Sequence, residues 1–148
     1  MSRRKSVHAS AVLIGETGVL VRGGSGSGKS ALILELLSAD PEHARLVADD
    51  RVVLVAANGR LLADVPSTIA GLIEIRGLGI VRRPHVAPVV IHLVVDLEPP
   101  DACRRLPEEH EARTEIEGIA LPRLALPIGD VAAAAIKVKV RIKDCFNL

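Results

Sequence analysis

The eight residues Gly23-Gly24-Ser25-Gly26-Ser27-Gly28-Lys29-Ser30 follow the pattern G-x-x-x-x-G-K-[ST]. Its glycines allow backbone N–H groups to turn inward around phosphate oxygens, its lysine brings a mobile cation to the terminal phosphates, and its hydroxyl suits Mg2+. A chance match in a chain of this length is roughly a one-in-a-hundred event. The motif therefore predicts a site for a nucleoside triphosphate, ATP, together with Mg2+. By itself it predicts binding and not any particular reaction.

Other residues carry the chemistry that a bound triphosphate would need. Asp49-Asp50 directly follow the apolar run Leu46-Val47-Ala48, which places two carboxylates at the C-terminal end of a predicted strand, where ligands bind in open α/β sheets. One suits a metal and the other can accept a proton; standing alone, such a pair is as often a solvated turn. Glu74 lies between Ile73 and Ile75, and a carboxylate in an apolar run needs a partner, either Arg76 or a metal. Taken singly, His8 reads as a structural or surface histidine. Arg104-Arg105 and Arg82-Arg83 offer guanidinium groups, although adjacent arginines in polar stretches are usually solvated.

These groups must be held by regular elements. Ala11 to Ile14 and Val19 to Arg22 read as strands joined by the four-residue turn Gly15-Glu16-Thr17-Gly18, and the second runs into the glycine-rich loop. Ala31 to Leu37 is rich in helix formers and should stop near Asp40-Pro41. Arg45 to Ala48 is another strand, and Asn58-Gly59 between Arg51–Ala56 and Arg60–Ala63 is a hairpin signal. Pro66-Ser67-Thr68 opens a helical turn, and the two glycines in Arg76-Gly77-Leu78-Gly79-Ile80 suggest a shaped loop. Pro88 to Leu97 has the β-branched density of a central strand. Residues Pro107 to Arg113 are polar and expected to be exposed. Ile119–Leu121 and Leu124–Leu126, bounded by Pro122 and Pro127, are expected as edge strands. The tail from Asp130 favours helix through Ala132 to Ala135, with Lys137, Lys139, Arg141 and Lys143 on a solvated face.

The bulk properties set bounds on fold and partners. A chain of 148 residues with 49% apolar content can bury one core, so residues 1–148 are expected to form a single α/β domain with a mixed sheet around the phosphate loop. A formal net charge of +1 gives no broad electrostatic footprint for nucleic acid or an anionic membrane. Cys103 and Cys145 lack zinc-site spacing and are too few for a disulfide framework; free buried thiols in a reducing compartment are expected. Met1-Ser2-Arg3-Arg4-Lys5 is basic like the start of a signal peptide, but His8, Ser10, Gly15 and Glu16 break the apolar run that a signal peptide needs next, so a cytoplasmic protein is expected. There is no Trp or Tyr, and the only aromatic residue is Phe146. A purine base must then rest on aliphatic or Arg surfaces, which predicts weak discrimination between purine nucleotides.

Three blocks together resemble the catalytic domain of the HPr kinase/phosphorylase family: His8 through Gly18-Val19-Leu20-Val21 into Ser30, Val47-Ala48-Asp49-Asp50-Arg51-Val52, and Leu72-Ile73-Glu74-Ile75-Arg76-Gly77-Leu78-Gly79-Ile80. The third looks like the family's signature segment and is more specific than the phosphate loop. The resemblance spans roughly residues 5 to 145 and implies a short form without the N-terminal domain of longer members. It also implies a fold similar to the nucleotide-binding domain of phosphoenolpyruvate carboxykinase. The activity it implies is ATP- and Mg2+-dependent phosphorylation of a serine on HPr or an HPr-like phosphocarrier, in phosphotransferase-system regulation. By similarity, Asp50 is the general base with Asp49 beside it, Ser30 and Glu74 hold Mg2+, Lys29 neutralises phosphates, His8 belongs to the active site and Arg105 matches a catalytic arginine. Two departures stand out: the glycine-rich loop usual before the Val89 strand is absent, and Leu126-Pro127-Ile128-Gly129-Asp130 replaces a proline-glycine-arginine segment associated with dephosphorylation. The reverse, phosphorylase reaction is therefore not carried over. The resemblance also raises a homo-oligomer, hexameric in full-length members, although the helical residues beyond Phe146 there are not present in this sequence. Competing readings are a nucleotide-sensing module with little phosphoryl transfer, and a small-molecule kinase.

Overall fold

The computed structural model describes residues 5–146, with the side chains of Cys145 and Phe146 outside that description. Eleven strands and two helices run in the order β1 (Ser6–Val7), β2 (Ser10–Ile14), β3 (Thr17–Arg22), α1 (Lys29–Ala39), β4 (Ala44–Ala48), β5 (Val52–Ala57), β6 (Arg60–Asp64), β7 (Leu72–Ile75), β8 (Gly79–Arg82), β9 (Val89–Glu98), β10 (Arg113–Ile116), β11 (Ile119–Pro127) and α2 (Val131–Phe146). Short 3-10 turns lie at Ser67–Ile69, Pro100–Ala102 and Glu109–Ala112.

The main sheet is mixed, as expected, and runs β1-β5-β6-β9-β3-β2-β4. β9 is central: it pairs in parallel with β3 on one side, while its other side meets antiparallel β6 near its start and parallel β11 towards its end. β10 pairs antiparallel with the first half of β11. Alternation along the strands sends successive residues to opposite faces and divides the core in two. Val12, Val19, Val21, Leu93, Val95 and Leu97 meet α1 and α2 on one face. Ala11, Leu20, Ile91 and Val94 meet Val52, Leu61 and Leu121 on the other, where the sheet curls over itself. α1 joins the first cluster through Leu32, Ile33, Leu36 and Leu37, one stripe at helical spacing. Removing one of these fully buried leucines costs about 2–5 kcal/mol by analogy with other cores.

Several local expectations need correction. The β2–β3 turn contains two residues, Gly15 and Glu16, because Ile14 pairs with Thr17 and Leu13 with Gly18. The shaped loop expected around Gly77 and Gly79 is reduced to the turn of a two-stranded hairpin, β7–β8, which forms a sheet of its own. Its base is tied to β4 through residues 84 to 86: Leu46 N–H donates to the Pro84 carbonyl and Val86 N–H to the Leu46 carbonyl. Ile119–Leu121 and Leu124–Leu126 are one strand, not two edge strands. Pro122 is tolerated inside β11 because the ladder to β10 ends there while the ladder to β9 begins at Arg123, so its missing N–H interrupts neither. Residues 107 to 112 are mostly exposed, as expected, although Arg113 already belongs to β10. The tail is helical, with Lys137, Lys139 and Lys143 exposed as expected, whereas Arg141 is half-buried. Cys103 is a free thiol but only half-buried, and the Cys145 side chain lies outside the described residues. Among the described residues, no helix is long and apolar enough to cross a membrane.

Candidate active site

The glycine-rich loop leaves the C-terminal end of β3 and enters α1 at Lys29. Gly26 and Gly28 adopt φ angles of +77° and +98°, in the left-handed region where a side chain is strained. Gly28 caps α1, whose first N–H groups have no partners within the helix and whose dipole favours an anion in front of them. Lys29 is buried and its ammonium donates to the carbonyls of Gly23 at 2.8 Å and Gly24 at 3.2 Å. Burial lowers its pKa, opposed by the charges of Asp50 and Asp49.

Asp49 is the hub of this end of the sheet. It is 4% exposed, and its carboxylate accepts hydrogen bonds from Ser30 Oγ at 2.8 Å, Ser10 Oγ at 2.8 Å and the Glu74 N–H at 3.2 Å. Asp50 behaves differently. Its side chain is 68% exposed, and His8 Nε2 lies 2.8 Å from its Oδ1. Its φ of +70° is left-handed, in a tight turn where Arg51 N–H donates to the Asp49 carbonyl at 2.8 Å. Asp tolerates such a conformation better than most residues, and non-glycine strain of this kind clusters at functional sites. The turn sends adjacent carboxylates two ways, Asp49 inward and Asp50 outward.

A cavity of about 400 Å3 opens over these groups. Loop residues Ser25, Gly26, Gly28, Lys29 and Ser30 form one wall; His8, Asp49, Asp50, Glu74 and Arg76 line the rest. The structure thus gathers His8, Lys29, Ser30, Asp49, Asp50 and Glu74 from well-separated parts of the chain. It does not bring in Arg105, which is exposed on the segment between β9 and β10 and does not line this cavity. Glu74 is exposed on β7 and, among the described residues, forms no ion pair with Arg76, one of the two partners expected for a carboxylate in this apolar run, the other being a metal. In a hairpin standing off the main sheet, one side chain in two faces solvent.

One residue here escaped sequence reasoning, and another, Arg76, serves a different neighbour from the one expected. Ser10 is fully buried; its hydroxyl donates to Asp49 and accepts from the Asp50 N–H at 3.2 Å, so it holds the Asp49 carboxylate and the Asp50 backbone. The only signal was a polar residue at the start of an apolar strand. Arg76 lies beside the loop, with Nη2 3.7 Å from where a side chain at Gly26 would begin; its cation is turned to the phosphate loop rather than to Glu74.

The donor set fits a hard divalent cation such as Mg2+, because Ser30, Asp49 and Glu74 offer oxygen atoms only. The loop fits a polyphosphate: nothing stands within 4 Å of a side-chain position at Gly24, and Lys29 with the α1 N-terminus supplies positive charge.

Comparison with known proteins identifies the family and the fold. The family described as HPr Serine kinase C-terminal domain matches residues 1–146. Proteins named HPr kinase/phosphorylase are similar to this chain: that of Limosilactobacillus reuteri is 36% identical over 139 residues, covering 86% of this chain and 42% of its own. That of Geobacillus thermodenitrificans is 38% identical over 149 residues, covering 91% and 46%. That of Streptococcus pneumoniae is 40% identical over 139 residues, covering 86% and 43%. This chain therefore spans less than half the length of these relatives. A solved structure described as the Hpr(Ser) kinase/phosphatase from Coxiella burnetii matches with a TM-score of 0.81 at 27% identity, covering 95% of this chain and 90% of that one. The phosphate loop, the paired carboxylates and the Glu74 hairpin accordingly sit on a known α/β scaffold, and the chain belongs to the HPr serine kinase C-terminal domain family.

Proposed function

We propose that this chain is an ATP- and Mg2+-dependent serine kinase acting on HPr or an HPr-like phosphocarrier in phosphotransferase-system regulation. The observation that carries the reading is the His8–Asp50 pair, 2.8 Å apart at the open side of a cavity whose wall is the phosphate loop. Phosphoryl transfer needs positioned phosphates, a metal, a base and a cation more than covalent catalysis.

In this reading Lys29 leaves the Gly23 and Gly24 carbonyls to neutralise the terminal phosphates, and the loop N–H groups orient them. Ser30 and Glu74 would hold Mg2+, with Asp49 aligning the Ser30 hydroxyl and adding its negative charge beside the ion. Bound there, Mg2+ would supply charge neutralisation on the phosphate oxygens. Asp50 accepts the proton of the acceptor serine as its oxygen bonds to the γ-phosphorus, the bond from that phosphorus to the leaving oxygen breaks, and ADP departs. His8 orients the Asp50 carboxylate, and Arg105 is the second cation, delivered from its exposed segment.

The test is transfer of label from γ-labelled ATP, with Mg2+, to the HPr-like protein of the same organism. The wild-type chain should label a serine of the acceptor and the Lys29→Ala variant should not. Absence of label with the wild-type chain overturns the reading.

A further inference from the structure

On the sheet face opposite the helices, beneath the phosphate loop, lies a second buried carboxylate. Asp96, 7% exposed, stands beside Arg22 at the last paired position of β3 and β9, and the next residue after Arg22 is Gly23, the first of the loop. Arg22 grips it with two hydrogen bonds, Nε to Oδ1 at 2.7 Å and Nη2 to Oδ2 at 2.8 Å. Arg123, at the start of the β11 ladder to β9, donates to the same carboxylate through Nε. The remaining nitrogens of Arg123 reach outward, Nη1 to the Glu111 carbonyl at 2.9 Å and Nη2 to Glu98 Oε1 at 3.2 Å. The Glu111 carboxylate in turn holds Arg104 Nε at 2.8 Å and the Glu108 N–H at 2.9 Å. A chain of contacts therefore runs from the root of the glycine-rich loop through Asp96, Arg123 and the main chain of Glu111 to the Glu111 carboxylate and Arg104, in the exposed segment 99–112 that carries Arg105.

We propose that Asp96 is a positioning residue: through Arg22 it fixes the root of the phosphate loop, and through Arg123, Glu111 and Arg104 it fixes the 99–112 segment relative to that loop. Bidentate guanidinium–carboxylate pairs hold orientation as well as distance. Without such a tie, a segment so exposed, with two short 3-10 turns as its only regular structure, samples many positions. The kinetic consequence rests on the kinase reading above; the structural tie does not.

The experiment is limited trypsin digestion of the full chain, comparing cleavage after Arg104 and Arg105 with cleavage after Arg82. The Arg82 bond lies on the β7–β8 hairpin, outside the chain of charges, and serves as the internal reference. Asp96→Asn should raise the ratio about tenfold. Glu111→Ala, which cuts the chain at its partly exposed end and spares the core, should raise it similarly. In the labelling assay both variants should lower kcat about tenfold, while Glu111→Ala leaves the dissociation constant for ATP within about twofold of wild type. An unchanged ratio in Glu111→Ala, or an equal rise at both bonds in Asp96→Asn, overturns the proposal. A wild-type chain that transfers no phosphate overturns only the kinase reading, since the cleavage ratio still decides the tie.

Discussion

Two aspartates are buried at the same end of this sheet, and they are satisfied in opposite ways. Asp49 takes its hydrogen bonds from neutral donors, the hydroxyls of Ser10 and Ser30 and the amide of Glu74. Asp96 takes its hydrogen bonds from two guanidinium groups. A carboxylate solvated by neutral dipoles keeps its negative charge available to an incoming cation, and Asp49 lines an open cavity where one can arrive. A carboxylate already matched by two cations has no such capacity, and its strength lies in holding three neighbouring strands together. Burial of an acid therefore does not distinguish a site from a brace. The charge of its partners does.

The largest expected effect separates chemistry from folding altogether. Asp50→Asn should lower phosphoryl transfer about 10^2- to 10^4-fold. The unfolding midpoint should hardly move, because the side chain is mostly solvent-exposed and Asn tolerates a positive φ as Asp does. Labelling and urea denaturation of the same preparation check both halves. A protein that transfers phosphate normally with Asn at this position would remove Asp50 as the base.

Next in size is the brace. Asp96→Ala strands Arg22 and Arg123 beside one another without their shared counter-charge, and should destabilise the fold by about 3–5 kcal/mol in urea. Asp49→Asn keeps one acceptor for the serine hydroxyls and should cost about 2 kcal/mol, yet should abolish the Mg2+ dependence of ATP binding, as calorimetry can read. Equal destabilisation by the two substitutions would erase the distinction drawn between them.

The same contrast sets a dependence on pH. Burial would raise the carboxyl pKa of Asp96, but hydrogen bonds and charge from Arg22 and Arg123 outweigh it and hold the group below its ordinary value. A lowered folded-state pKa stabilises the native state fully above the unfolded-state value and loses that contribution as pH falls through the folded-state value. Thermal melts from about pH 7 down to about pH 3 should show an acid limb that is shallower in Asp96→Asn. Identical limbs would show that the brace carries no linkage to protons.

The smallest effect belongs to Ser10→Ala, which deprives both Asp49 and the Asp50 amide of a partner and should cost about 1 kcal/mol. Its value lies in the kinetics: kcat should fall while the cavity-lining residues are all intact. An unchanged kcat would mean that the two carboxylates hold their places without it.

Much of this was legible in the order of the residues, and the reason is locality. The phosphate loop is contiguous, its flanking strand and helix arise from adjacent runs, and Asp49-Asp50 sit where a strand ends. The central strand β9 and the Asn58-Gly59 hairpin were readable for the same reason. Where expectation failed, pairing had overridden local chemistry. Thr17 and Gly18 look like turn residues but are drawn into the ladder with Ile14 and Leu13, and Pro122 looks like a strand end but lies between two half-ladders.

The sequence by itself carried the glycine-rich motif, the Asp49-Asp50 pair and the resemblance to the family, because each is written in short runs of neighbouring residues. Only the tertiary structure decided which buried acid is free to take a cation and which is spent as a brace. Ser10 and Asp49 are 39 residues apart, Arg22 and Asp96 are 74, and Asp96 and Arg123 are 27. No local pattern announces such pairs: the first exists only when antiparallel β2 and β4 lie side by side, the other two only when parallel β3, β9 and β11 do, with water closed out around them.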